Sequence, residues 1–100
     1  MATSESEIKK EIKSHIDSEG SAYSKWYVGI TNDADRRLEE HNVDTGKGKS
    51  WWITRNASTD ETARRVEKYF IDLGADGGDG GGDESSKTVY AYKKTSTTNP

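Results

Sequence analysis

The sequence predicts a small α+β domain in which a short central antiparallel sheet is flanked by helices. Three observations predict it. Residues 25–31 (KWYVGIT) and 88–93 (TVYAYK) alternate with the period of two that half-buried strands show, and 50–55 (SWWITR) reads as a further strand. Three other segments carry apolar residues at the spacing of an amphipathic helix. The chain has 100 residues, 29% hydrophobic and 33% charged, which suits one domain, 1–100, with a small core leaning on three Trp and five Tyr. The expected strands are 26–31, 51–55 and 88–93, and the expected helices 4–17, 33–42 and 60–74.

The first helix opens with Ser4-x-x-Glu7, a capping box, followed by Ile8, Ile12 and Ile16 on one narrow stripe. Glu19-Gly20-Ser21 ends it, and His15 falls on its exposed or boundary side. In the strand 26–31, Trp26, Val28 and Ile30 share an apolar face. Tyr27, Gly29 and Thr31 share the other, where a phenol beside a residue without a side chain leaves space. Asn32 or Asp33 caps the second helix, whose inward stripe is Ala34, Leu38 and His41. Arg37 lies beside that stripe, as an ion-pair partner of Asp33 or as a charge leaning towards a site.

Residues 42–50 (NVDTGKGKS) form a basic loop in which Lys47 and Lys49 are either plain loop residues or phosphate contacts. Trp51-Trp52 puts one ring on each face of the second strand. The third helix, 60–74, carries the stripe Ala63, Val66, Phe70 and Ile71, and Glu67 falls on it. A charge on a packed face is costly unless it finds a partner, so Glu67 either snorkels to water or lines a site. Residues 75–86 are a flexible Gly/Asp loop whose spacing matches no EF-hand or nonapeptide repeat. In 88–93, Val89 and Ala91 share one face and Tyr90 and Tyr92 the other; 95–100 reads as a frayed tail.

Composition removes several functions. Without cysteine there is no disulfide, thiolate metal site or Cys nucleophile. No apolar run approaches the roughly 18 residues that cross a membrane. The stretch MATSESEIKK lacks the apolar core of a signal peptide, so the expected location is cytoplasmic. The net charge of −3 gives no global pull towards nucleic acid, but Lys47, Lys49, Arg55, Arg64, Arg65 and Lys68 concentrate basic charge along the middle of the chain.

Tyr27, Arg37, His41 and Glu67 thus come from three elements and point towards one face. Phosphodiester cleavage asks for such a set: a fixed cation for the pentavalent phosphorus, a metal-binding carboxylate, and a group that prepares water. The order Tyr27-Val28-Gly29-Ile30-Thr31, then Arg37 and His41 one turn apart, then Glu67 on a later helix, resembles the second half of the GIY-YIG nuclease signature. The resemblance covers about residues 26–74. It implies a small antiparallel sheet flanked by helices and DNA cleavage with one Mg²⁺ or Mn²⁺ ion. It also implies roles: Glu67 binds the metal, Arg37 holds the scissile phosphate, Tyr27 acts as general base or positions water, His41 assists, and Gly29 keeps the surface open to substrate. With Gly29, Lys47, Lys49 and Arg55 are the candidate substrate contacts.

One departure stands out. The family's first motif, G-I-Y, belongs on a strand upstream of Tyr27, where this chain has His15-Ile16-Asp17 in the first expected helix. Thr88-Val89-Tyr90 has the character of the missing motif. A circular permutation would pair 88–93 antiparallel with 26–31 and bring Tyr90 into the site; otherwise 88–93 is an edge strand. The functional expectation is metal-dependent DNA endonuclease or nickase activity by a stand-alone domain. The alternative is a catalytically inactive module of the same fold that binds nucleic acid or a protein partner. A further reading has the isoleucine stripe of the first helix docking a partner or a second copy.

Overall fold

Ser4 begins the first helix as the capping box predicts, its hydroxyl accepting a hydrogen bond from the Glu7 amide at 3.3 Å. In this computed structural model, which describes residues 4–19, 22–41, 43, 52–77, 86–94 and 98, helix α1 is Glu5–Ser18. Ile8, Ile12 and Ile16 are wholly buried along one side of it. Burying each side chain is worth roughly 1.5–3 kcal/mol against leaving it in water. The stripe is therefore consumed by the domain's own core, and the expected docking face is not exposed.

A 3₁₀ turn, Tyr23–Lys25, leads into strand β1, Trp26–Thr31. Asp33 caps α2, Ala34–Glu40, by accepting from the Arg36 amide at 3.2 Å. Strand β2 is Trp52–Asn56. Thr59 caps α3, Asp60–Asp72, by accepting from the Thr62 amide at 3.1 Å. Strand β3 is Asp76–Gly77 and β4 is Thr88–Lys93. No helix among the described residues is long and apolar enough to cross a membrane.

The sheet has the order β2-β4-β1-β3. Strand β4 pairs antiparallel with both β1 and β2, so it is an interior strand, not an edge. The expectation of three antiparallel strands is short by one. Gly74 takes a positive φ of 117° at the end of α3, where its amide donates to Ile71 O and the Ala75 amide to Phe70 O, each at 3.0 Å. This pair of bonds is a Schellman closure, which a side chain at Gly74 would strain. It turns the chain so that Asp76–Gly77, expected to lie in a loop, runs parallel to β1 with Asp76 opposite Tyr27.

Two clusters cover the two faces. Trp26, Val28, Ile30, Ile53, Val89 and Ala91 pack with the α1 isoleucines and with Ala63, Val66 and Phe70 of α3. Tyr27, Tyr90, Tyr92 and the half-buried Trp52 pack with Leu38 of α2 on the other side. Ile71, expected on the buried stripe of α3, is instead 38% exposed. The packed stripe is centred on Ala63, Val66 and Phe70, which places Ile71 at its rim. Arg65 reaches Glu5 at 2.6 Å and ties α3 to α1.

Candidate active site

The ladder between β1 and β4 sets the site. Tyr27 stands opposite Tyr92, and Gly29 opposite Tyr90. Alternation puts all three phenols on the face that α2 covers. The Tyr27 ring lies 5.2 Å from the Tyr92 ring and 6.3 Å from the Tyr90 ring, both stacked. Gly29 makes the close approach possible, since a Cβ there would lie 2.5 Å from the Tyr90 hydroxyl oxygen and 2.6 Å from its Cζ. The space expected above Gly29 is therefore filled by Tyr90 from within the fold.

His41 is the C-cap residue of α2, where its amide donates to Arg37 O at 3.0 Å. That position swings the imidazole inward, leaving it 6% exposed. Both ring nitrogens meet phenols: Nε2 is 3.0 Å from the Tyr90 hydroxyl and Nδ1 is 3.0 Å from the Tyr92 hydroxyl. The ring also tilts against Tyr27 at a centroid distance of 4.8 Å. Three tyrosines thus surround one histidine.

Arg37 lies one helical turn before His41. Its guanidinium pairs with Glu40 at 2.8 Å, not with Asp33, whose carboxylate is engaged in capping α2. Its charge acts on Tyr90 while its side chain stays part-exposed, so it faces the tyrosine cluster and solvent together. The bond to Glu40 holds the Arg37 pKa above its usual range.

Burial governs the phenols. It pushes Tyr90 up to about 12, against the pull of the Arg37 cation. Burial raises Tyr92 further, and raises Tyr27 with the help of the Asp76 and Glu67 charges, while the Arg37 charge opposes it. All three are therefore neutral hydroxyls near pH 7. Tyr27 and Tyr90 suit hydrogen-bonding roles better than that of a free phenolate base.

Glu67 reaches this field from the opposite layer. It lies on α3, whose packed stripe serves the aliphatic face, and its carboxylate raises the pKa of both Tyr27 and Tyr90. One of its oxygens, Oε2, is shielded from solvent. Tyr27, His41 and Tyr90 are in direct contact as a cluster, whereas Arg37 and Glu67 act on Tyr27 and Tyr90 through their charges.

The remaining predicted contacts fall elsewhere. Arg55 donates to Glu11 at 2.5 Å and to Thr54 O at 2.7 Å, bridging β2 to α1. Lys47 and Lys49 lie outside the described residues. Two site neighbours escaped the sequence reading. Tyr92 binds His41, and the alternation in TVYAYK already put it beside Tyr90. Asp76 joins Tyr27 through the short β3 pairing, for which no sequence signal exists.

Among the described residues no group of three or more His, Asp or Glu gathers as a metal cage. A magnesium site does not need one. Mg²⁺ retains several waters and takes one or two carboxylates plus substrate phosphate oxygens. Glu67 could supply one carboxylate of such a partial donor set, since its charge is felt by Tyr27 and Tyr90. Comparison with protein-family models, curated proteins and solved structures gives no match to this chain.

Proposed function

We propose that the domain is a metal-dependent DNA endonuclease or nickase of GIY-YIG type, with its strands in permuted order. The observation that carries this reading is the Tyr90 hydroxyl, seated over Gly29, 3.0 Å from His41 Nε2 and within the field of the Arg37 charge. Tyr90 arrives on a strand antiparallel to β1, the relationship the G-I-Y strand requires. In this reading Arg37 binds a phosphate oxygen and stabilises the charge that builds in the transition state. Tyr27 donates a hydrogen bond that orients the attacking water, with Tyr90 stacked beside it and held by His41. Glu67 would hold Mg²⁺ or Mn²⁺, which supplies Lewis acidity when bound.

Supercoiled plasmid incubated with the protein and Mg²⁺ or Mn²⁺ tests it. Metal-dependent nicking, absent in both Arg37→Ala and Glu67→Ala, is the expected result. No nicking with either ion, or nicking indifferent to both substitutions, removes the reading.

A second reading rests on burial. Tyr90 is 1% exposed and His41 6%, so the same groups also make sense as a sealed polar core in an inactive module that binds nucleic acid or a protein. Salt-sensitive DNA retention without nicking is the outcome that favours it.

A further inference from the structure

Both nitrogens of the buried His41 ring face hydroxyl oxygens at one distance: Nε2 lies 3.0 Å from Tyr90 and Nδ1 3.0 Å from Tyr92. A neutral imidazole has one bare nitrogen, and whichever one it is, a phenol stands against it. Both phenols are buried, so bulk water does not compete for their protons. Tyr27 stacks on the pair, 5.2 Å from the Tyr92 ring and 6.3 Å from the Tyr90 ring. Trp52, opposite Tyr92 on the β2–β4 ladder, packs against the same cluster and is half-buried.

Such a set has a chemistry besides hydrogen bonding. Phenols and indoles are among the side chains most readily oxidised by one electron. A phenol that loses an electron becomes a strong acid, and a charge stranded in an apolar site is costly, so the proton leaves with the electron. Burial keeps Tyr90 and Tyr92 protonated near neutral pH, which closes the route through a phenolate. His41 is the acceptor already in place. The imidazolium that forms has two N–H donors, and both nitrogens already face oxygens 3.0 Å away. The Arg37 cation, one turn earlier on α2, is paired with Glu40 at 2.8 Å.

We propose that Tyr90, His41 and Tyr92 form a one-electron redox site, which gives an electron to an outer-sphere oxidant by way of Trp52 or Tyr27. One phenol O–H bond breaks. Its proton joins the bare nitrogen of His41, its electron reduces the oxidant, and a neutral tyrosyl radical remains. Re-reduction returns the proton from His41 to the phenoxyl oxygen. This chemistry does not depend on the cleavage proposed above.

Photogenerated tris(bipyridine)ruthenium(III) serves as the probe oxidant, with transient absorption and electron paramagnetic resonance reading the radical. Of the five tyrosines, Tyr23 and Tyr69 lie outside the cluster, so a Tyr23→Phe, Tyr69→Phe parent confines tyrosyl signals to it. The expected result is a long-lived tyrosyl radical that forms more slowly in heavy water. Tyr90→Phe or Tyr92→Phe alone leaves one phenol on His41 and should keep the radical. The two together should lose it, although Tyr27 remains. His41→Gln keeps a hydrogen-bonding side chain that cannot hold the proton, and should shorten the radical's life to that of free tyrosine. An equally long-lived radical in the double Tyr90→Phe, Tyr92→Phe protein, or in folded His41→Gln, overturns the proposal. So does a folded parent that yields no long-lived radical, whether or not His41→Gln folds.

Discussion

Gly29 and Tyr90 face each other across the β1–β4 ladder so closely that one added carbon on Gly29 would meet the phenol at 2.5 Å. The hydroxyl oxygen and two atoms of the rigid ring lie within 2.9 Å of that point, so the whole ring would have to swing. Swinging it breaks the bond to His41. Gly29→Ala is expected to lower stability by about 1–3 kcal/mol, the usual cost of overpacking. Urea denaturation measures it. In the Tyr90→Ala background the same substitution is expected to cost much less, because the two sites share one volume.

The tyrosines make a prediction in alkali. Tyr90 ionises near 12 in the folded protein, against 10 for an ordinary phenol, because burial favours its neutral form. A raised folded pKa gives stability that is complete below pH 10 and is lost as pH climbs towards 12. The loss assigned to Tyr90 is on the order of 2 kcal/mol. Tyr92 is shifted in the same direction and adds to it. Stability measured by denaturant titration should be flat near neutrality and fall through that window. Tyr92→Phe should make the fall shallower.

Arg37 offers a split between activity and stability. Its pair with Glu40 joins side chains 38% and 50% exposed, so losing it should cost no more than about 1 kcal/mol. Arg37→Ala is nevertheless expected to reduce nicking by about 10²-fold or more, as removal of a transition-state donor does. Arg37→Lys keeps the charge but not the planar fork, and should fall between the two. Chelation of the divalent ion should abolish nicking and leave the urea midpoint unchanged.

Arg55 should behave in the opposite way. It is engaged by Glu11 and by Thr54 O, at the seam between α1 and β2. Arg55→Ala is expected to cost up to about 1 kcal/mol of stability, and Glu11→Ala a similar amount, with the double substitution less than additive. Filter retention of DNA should be unchanged by it. Weaker retention at equal folded fraction would return Arg55 to the substrate contacts.

Much of this arrangement was legible before the fold. The two-residue period of 26–31 and 88–93 placed Tyr27, Tyr90 and Tyr92 on one face each of their strands, and β1 and β4 occupy those spans. Side-chain alternation is local, and so is capping, which is why Ser4 reads correctly. Choices between equivalent partners are not local. Arg37 had carboxylates at Asp33 and Glu40 within reach along its helix, and the outcome depended on Asp33 being engaged as a cap. Arg55 looked like a free cation because Glu11 is distant in sequence and near only in the fold. Asp76–Gly77 has neither length nor β-forming side chains, and is a strand only because the turn at Gly74 lays it beside β1. That turn also brings the Asp76 charge to Tyr27, a neighbour no pattern announces.

The interior place of β4 bears on how the domain is made. Strands β1 and β2 do not pair with each other; each pairs with β4. On the ribosome, α1, β1, α2, β2 and α3 all emerge before the strand that joins them. Until it arrives, β1 and β2 lack their shared neighbour, a state prone to pairing with other chains. Folding must then wait for long-range closure, which is slow compared with helix formation. The domain is built to assemble in one late step, and the strand that completes the sheet is the same one that delivers Tyr90 and Tyr92 to the histidine.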